Sequence, residues 1–424
     1  MNPAENPLPK MTFNKLTADG LILFGTRVIR MFAYGFLSVV LVLYLVQLGL
    51  SQGLVGLLLS LTLIGDAAIS LWMTTTADRV GRRRILIVGA GLILFAGIIF
   101  AQTDRVVLLL IAAIIGVISP SGYEVGPFLP VEQAALSQIV PDALRTQVFA
   151  WYNLVGSFAT AAGALCGGAL TQLLQQVGVI PLNSYRTVVV LYGVMGALLA
   201  LLFTRLSPLV EPVNFDSPKT RSPLGLHRSR GVVLKLSTLF GLDAFAGGFV
   251  VQSLVAYWFH VRFGVEPAAL GGIFFGANIL AGISALASAW VAARIGLVNT
   301  MVFTHLPSNI LLVLVPLMPN LPLAIVVLFA RFSISQMDVP PRQSYTMAVV
   351  APDERSAAAG VTGIARSIGA ATSPAFAGAF LANAGLLGAP FYVAGGLKII
   401  YDILLYRSFR SVEDQGSTDR CARR

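Results

Sequence analysis

The sequence predicts an all-α membrane protein: about twelve transmembrane helices in two pseudo-symmetric six-helix bundles. Three observations carry that expectation. The 424 residues are 56% hydrophobic and 11% charged, against roughly a quarter charged in soluble domains, and the mean hydropathy is +0.81. Apolar runs of about 20 residues, the length that spans a hydrocarbon core, recur from Leu21 to Tyr406. Residues of the first half also reappear, in order, in the second.

Taken in order, the runs place helices over 20–48, 53–73, 85–102, 106–138, 146–176, 185–203, 236–262, 269–292, 300–318, 321–349, 357–384 and 389–406. Residues 1–18 are polar and Pro-rich, and Leu21 to Leu48 is too long for a signal-peptide core. The expected division is therefore an N-terminal segment 1–18, a first bundle 19–203, a linker 204–234, a second bundle 235–406 and a tail 407–424. The linker is marked by Pro208, Pro212, Pro218 and Pro223 among serines and scattered charges. Two cysteines, Cys166 inside a span and Cys421 in the tail, do not suggest a disulfide. Cys166 is expected to be a small packing residue.

The formal charge of +10 is unevenly placed. Arg79, Arg82, Arg83 and Arg84 follow the second span. Lys219, Arg221, Arg228, Arg230 and Lys235 lie in or beside the linker, and Arg407, Arg410, Arg420, Arg423 and Arg424 follow the last span. With an even number of crossings these all fall on one side, while the other side holds only Arg105, Arg186 and Arg262. Basic residues accumulate on the cytoplasmic side, so both termini and the linker are expected there, in the cell (inner or plasma) membrane. The basic excess is thus a topology signal that also suits anionic lipid head groups, and it does not call for nucleic acid.

The halves match at nearly constant offsets. Ser38 with Ser253, Gly49 with Gly264 and Gly56 with Gly271 all stand 215 residues apart, and Leu23-Phe24-Gly25 echoes Leu239-Phe240-Gly241. Two proline-containing stretches correspond as well. Gly126-Pro127-Phe128-Leu129-Pro130-Val131-Glu132-Gln133 is followed by Pro141-Asp142, and Asp338-Val339-Pro340-Pro341-Arg342-Gln343 by Pro352-Asp353. A membrane helix gives up backbone hydrogen bonds only where a cavity or neighbouring protein replaces them. Matching interruptions in two repeats therefore point to a substrate site.

Between spans two and three stands Ala77-Asp78-Arg79-Val80-Gly81-Arg82-Arg83-Arg84. It resembles the G-x-x-x-D-R-x-G-R-R loop of the major facilitator superfamily. Asp78, Arg79, Gly81, Arg83 and Arg84 match, while Thr74 replaces the leading glycine. Ala293-Arg294-Ile295-Gly296 is a remnant of it in the second half. The resemblance covers about 20–406 and implies a two-bundle fold in which helices one and seven meet across a central cavity. It also implies a gating role for the loop, with Asp78 expected to pair with Arg145; a purely topological anchor is the plainer reading. Gly163-Ala164-Leu165-Cys166-Gly167-Gly168 resembles part of the family's antiporter motif, although close helix packing explains the glycines equally.

Ionisable groups within spans face a cavity or a partner by default. The positives are Arg27, Arg30, Arg331, Arg342, Arg366 and Lys398, and the negatives are Asp66, Glu124, Glu132, Asp243, Asp338 and Asp402. Arg27, Arg30, Tyr34 and Ser38 share one helical stripe. Arg30 and Asp66 fall within about 7 Å in depth and are expected to pair, and Asp243 is expected to meet Arg27 or Arg30 as a gate. Lys398 and Asp402 read as a local pair one turn apart. The expected substrate-contacting residues are Arg27, Arg30, Tyr34, Glu132, Gln133, Arg331, Arg342 and Gln343. Carriers of a coupling proton are Asp66, Glu132 or Asp243, each of which could instead be a carboxylate locked to an arginine.

No catalytic, metal-binding or nucleotide-binding pattern is present, so no enzyme, metal or cofactor is expected. His305 reads as a packed helix residue. The expected activity is alternating-access movement of a small charged or zwitterionic solute, proton-coupled, by a monomer. Export of lipophilic drugs is the first alternative, and a non-transporting membrane sensor is the second.

Overall fold

The computed structural model describes residues 17–124, 126–212, 227–351 and 354–421, without side chains at 142, 143, 146, 356 and beyond 409. Pro352 and Asp353, the N-terminal segment 1–16, the linker core 213–226 and residues 422–424 lie outside the described residues.

Sixteen α-helices among the described residues make twelve crossings. The first crossing is α1 (Ala18–Ser38) with α2 (Leu41–Gln47), and the second and third are α3 (Gln52–Val80) and α4 (Arg82–Gln102). The fourth is split into α5 (Val106–Ile115) and α6 (Phe128–Ile139), and α7 (Asp142–Gln176) and α8 (Pro181–Phe203) complete the first six. The second six repeat the scheme. They are α9 (Arg230–Gly248) with α10 (Gln252–Phe263), then α11 (Pro267–Ile295) and α12 (Leu297–Leu314). Next come α13 (Leu321–Phe332) with α14 (Val339–Ala348), then α15 (Arg355–Leu381) and α16 (Ala389–Cys421). Nine of the described helical stretches are long and apolar enough to span a bilayer unaided. The chain is an integral membrane protein.

The helix breaks differ from expectation in place and number. The fourth crossing breaks between α5 and α6 and takes in only Gly126 and Pro127 of the proline stretch, so Glu132 and Gln133 ride on α6 rather than on the break. The reason lies in Ser119-Pro120-Ser121-Gly122 and in the later Gly126, the two glycines taking φ of 73° and 80°. The tenth crossing opens over 333–338, leaving Arg342 and Gln343 on α14. Two breaks were not anticipated: Val39–Val40 in the first crossing and 249–251 in the seventh. The seventh follows Gly247-Gly248, but Ser38-Val39-Val40 holds no glycine or proline to announce the first.

A freed backbone pair and polar side chains join the two halves at and beside these breaks. Ser253 N–H donates to Pro120 O at 3.1 Å. Gln252 Nε2 donates to Ser38 Oγ at 2.8 Å, and Asn278 Nδ2 donates to Gln252 Oε1 at 3.1 Å. Gln52 Nε2 reaches Tyr257 Oη at 3.1 Å. On the same side α3 meets α15 and α7 meets α11 through facing glycines. A Cβ at Gly56 would stand 2.4 Å from Pro374 O, and one at Gly168 would stand 2.1 Å from Pro267 O. Backbones this close admit only glycine. The end remote from the linker is thereby closed. Cys166 does not take part: it is exposed, and Gly163 and Gly167 make the contacts to α1.

At the linker end, single glycines turn one helix into the next. Gly81 has φ 106° between α3 and α4, and Gly296 has φ 86° between α11 and α12, again 215 residues apart. Side chains rarely adopt that region. The helix ahead of Gly81 runs two turns past the expected end at 73 because Thr74, Thr75 and Thr76 continue it, two of them hydrogen-bonding carbonyls one turn back. The linker is tied at both ends. Asp19 accepts from Ser207 N at 2.8 Å, and Glu211 accepts from the backbone N–H of Arg82 at 2.7 Å and of Arg83 at 3.2 Å. Glu354 accepts from the backbone N–H groups of His227, Arg228 and Ser229. Burial pushes the Glu354 carboxyl up, but these bonds and the Ser229 hydroxyl outweigh it and hold it at about 2.

Enlarging Gly168 should prise α7 from α11. Overpacking of this kind costs about 1–3 kcal/mol, enough for a roughly tenfold shift between two states. In a background lacking Cys166 and Cys421, a Leu270→Cys probe should react with maleimide about tenfold faster once Gly168→Leu is added. Equal rates would mean that the glycine contact does not hold this end closed.

Candidate functional site

Each half buries its own charge cluster. In the first, the stripe on α1 points Arg27 and Arg30 at the break of the fourth crossing and at α6. Arg30, 0% exposed, donates from Nη1 to Glu132 Oε1 at 2.7 Å and from Nη2 to Glu132 Oε2 at 2.6 Å. Its Nε donates to Glu124 Oε1 at 2.9 Å. Arg27 forms an ion pair with Glu124. Tyr152 Oη and Thr26 Oγ1 donate to Glu132 as well. Phe128 lies 4.5 Å from the Arg30 guanidinium, and Tyr152 lies 4.9 Å from that of Arg27. Two parallel N–H···O bonds are the strongest geometry available to such a pair. Tyr34 is fully buried on the same stripe, and Gln133 is half-buried.

In the second half, Asp243 on α9 takes Arg342 Nη1 at 3.0 Å from α14 and Lys398 Nζ at 2.5 Å from α16. Arg342 also meets Asp338, one turn earlier, at 3.3 Å. His305 places Nδ1 2.8 Å from Asp402 Oδ1 and Nε2 3.7 Å from Asp243 Oδ1, and Asn309 donates to Asp402 Oδ2 at 2.8 Å.

Several expected pairings are replaced. Arg30 binds Glu124 and Glu132 rather than Asp66, because a carboxylate facing the guanidinium edge satisfies two donors at once. Asp243 pairs within its own half and not with Arg27 or Arg30, since Arg342 and Lys398 converge on it. Lys398 reaches across to Asp243, while Asp402 turns to α12, so the two do not form a local pair. Asp78 pairs with Arg82 at 2.9 Å, one turn on, and Arg145 Nη2 donates to Ser137 O at 2.6 Å. His305 is packed, yet it joins the polar cluster.

Between the halves lies a cavity of about 630 Å³. Of the sequence-derived candidates, Asp66, Asp243, Arg331 and Arg342 line it; Arg27, Arg30, Tyr34, Glu132, Gln133 and Gln343 stand outside its wall. Gln343 is exposed. Three lining charges have no ion pair among the described residues: Asp66, Arg331 and Arg366. Asp66 keeps a buried carboxylate oxygen without a hydrogen-bond partner, and so does Arg331 with its Nε. The Arg331 guanidinium rests 4.9 Å from the Phe332 ring.

In the loop at the linker end, Arg82 is the hub: it directly follows Gly81 and so holds the first of the motif's two final arginines, which the sequence match gave to Arg83 and Arg84. Its side chain binds Asp78, Gln138 Oε1 at 2.8 Å and Val210 O at 3.1 Å. Arg83 Nη2 donates to Thr204 O. Arg79 and Arg84 are exposed. The roles of Lys398 and Glu211 also escaped sequence reasoning, since each depends on a helix distant in the chain. Among the described residues, no group of His, Cys, Asp and Glu could hold a metal ion.

A family model described as Major Facilitator Superfamily matches residues 23–337. An uncharacterized membrane protein of Saccharomyces cerevisiae, YJR124C, is 30% identical over 431 residues, covering 95% of this chain and 96% of that protein. Among solved structures, a bacterial homolog of the human lysosomal transporter Spinster, inward-facing and occupied, superposes with a TM-score of 0.71. It is 18% identical, over 92% of this chain and 96% of that one. A peptide transporter POT in complex with sulfate also gives 0.71, at 16% identity over 94% and 96%. At these identities the solved structures speak for the fold alone.

Removing one member of a buried pair leaves its partner's charge uncompensated, at a cost of about 3–5 kcal/mol. Arg30→Gln should therefore melt well below the parent in detergent, and adding Glu132→Gln should recover part of the loss. A single variant as stable as the parent would mean that the cluster is hydrated and not a buried frame.

Proposed function

Since the chain belongs to the major facilitator superfamily and is a membrane transporter, we propose that it moves a small charged or zwitterionic solute by proton-coupled alternating access. One observation carries this reading: a cavity of about 630 Å³ between the bundles, closed at the far end, is lined by a carboxylate, Asp66, and by Arg331 and Arg366, none of which has an ion pair among the described residues. On this reading the linker end is cytoplasmic and the molecule faces inward. The loop of Asp78, Arg79, Gly81, Arg82, Arg83 and Arg84 then anchors that end through Glu211 and Gln138, and Arg145 supports it from α7.

Three carboxylates are candidates for the coupling proton. Glu132 is held by the Arg30 fork, Tyr152 and Thr26, and Asp243 by Arg342 and Lys398. Either would have to break a charge-assisted pair to take up a proton. Asp66 has no such pair. The charged and titratable groups around it are Tyr34 from α1, Tyr192 from α8 and Tyr123 and Glu124 from the break, with Glu132 on α6 and Arg366 on α15 beyond. Arg82, Arg83 and Arg84 on α4 sit at the linker end, away from the cavity. We assign the proton to Asp66. Arg331 and Arg342 are the proposed substrate contacts, and Arg27, Arg30, Tyr34, Glu132 and Gln133 the frame behind them. Export of lipophilic cations fits poorly with a wall that carries two uncompensated arginines.

Proteoliposomes give the test. With the wild type, a pH gradient should drive uptake of the solute. Asp66→Asn should abolish gradient-driven accumulation while keeping exchange of solute across the membrane. Accumulation by Asp66→Asn equal to wild type would remove Asp66 from coupling, and no flux of any charged solute would remove the transport assignment.

A further inference from the structure

The charges lining the cavity are unevenly matched between its walls. The second half presents Asp243 and Asp338 against Arg331, Arg342, Arg366 and Lys398. Arg342 and Lys398 are taken by Asp243, and Arg342 also by Asp338. Two guanidiniums are left over even with His305 neutral. On the opposite wall Glu124 is taken by Arg27 and Arg30, and among the described residues only Asp66 has no ion pair. An uncompensated charge in the wall of a cleft focuses its field and draws in a counter-ion.

We propose that Arg331 and Arg366 form an anion-binding subsite of this cavity, and that the solute is an organic anion carrying a carboxylate or phosphate on an apolar body. The proposal rests on the transport reading above and names the substrate class of the same site. Arg331 ends α13 beside the break of the tenth crossing, with Phe332 against one side of its guanidinium. Stacking fixes the plane of the group, and its buried Nε has no hydrogen-bond partner among the described residues. Arg366 lines the same cavity from α15. A planar fork of donors suits oxyanions better than a point charge does. The remainder of the wall explains why an inorganic ion is too small: Phe274, Phe332, Phe391 and Tyr123 face the same space. A volume of about 630 Å³ falls within the range of pockets that enclose whole organic molecules.

The test is calorimetric titration of the purified full-length protein with five probes: benzoate, phenyl phosphate, benzyl alcohol, tetraphenylphosphonium and chloride. Benzoate or phenyl phosphate should bind, and benzyl alcohol, chloride and tetraphenylphosphonium should not. Loss of a charged hydrogen bond corresponds to a roughly 10- to 100-fold weaker affinity, the effect expected of Arg331→Gln and of Arg366→Gln. Arg331→Lys should fall between wild type and Arg331→Gln, because charge remains while the fork is lost. Should Arg331→Gln fail to fold, Arg366→Gln and Arg331→Lys carry the test. Benzoate and phenyl phosphate affinities unchanged in these variants would overturn the subsite, as would a preference for tetraphenylphosphonium. Chloride binding with no organic anion bound would overturn the substrate class. Binding that needs both arginines but gives no flux in proteoliposomes would leave the subsite standing and defeat the transport reading alone.

Discussion

The rest of the interior depends on the fork between Arg30 and Glu132, two fully buried charges joined by parallel bonds of 2.6 and 2.7 Å. Such a pair persists only where attraction and hydrogen bonding offset desolvation, and here Tyr152, Thr26 and Glu124 occupy the remaining valences. The second half answers with Asp243 and Arg342 at 3.0 Å. Arg30 and Asp243 stand 213 residues apart, and Glu132 and Arg342 stand 210 apart, close to the offsets of 215 and 211 that relate the flanking glycines and prolines. The two pairs therefore occupy equivalent places with their signs exchanged. What the repeat retains is the tie between the first and fourth crossings of each half; which helix carries the cation is free to vary.

The broken helices solve a different problem. A cavity at the membrane centre needs walls that can carry polar groups, and an unbroken helix offers side chains only. Opening the first, fourth, seventh and tenth crossings part-way along their length exposes backbone donors and acceptors, which must be satisfied nearby. Pro120 O and the Ser253 N–H satisfy each other across the halves, and Gln252 bridges Ser38 and Asn278. The breaks thus do two things at once: they shape the cavity, and they hold its far end shut beside the glycine contacts of α3 with α15 and of α7 with α11.

Much of this was legible in the sequence, and the limits were physical. Helix number, the two-fold repeat and the loop at Gly81 follow from hydropathy and local spacing, because each depends on residues near one another in the chain. Breaks marked by Ser119-Pro120-Ser121-Gly122 or by Gly247-Gly248 carry a local signal; the one at Val39–Val40 does not, since it arises where the first crossing meets its neighbours. Pairing was the least legible. Depth along a helix places Arg30 level with Asp66, but which side chain a guanidinium faces depends on rotation about the helix axis and on α6 lying across from it. Lys398 and Asp402, one turn apart, were expected together for the same reason, and they turn to Asp243 and His305 because α9 and α12 pack on either side.

Pairing also separates two kinds of charge that composition cannot. A count of ionisable groups within the spans gives six of each sign, which suggests mutual neutralisation throughout. The geometry denies this. Most of these charges bind partners inside their own half, where they fix helices and are unavailable to a solute. The remainder face the cavity from opposite halves: Asp66 from the first, Arg331 and Arg366 from the second. On the proposed reading, a proton on Asp66 would neutralise the one lining carboxylate that has no ion pair among the described residues, so that proton and anion would each favour the other's binding. That reciprocity is a thermodynamic requirement once both sites share one field. It needs no moving relay between them, only that both sites line one cavity.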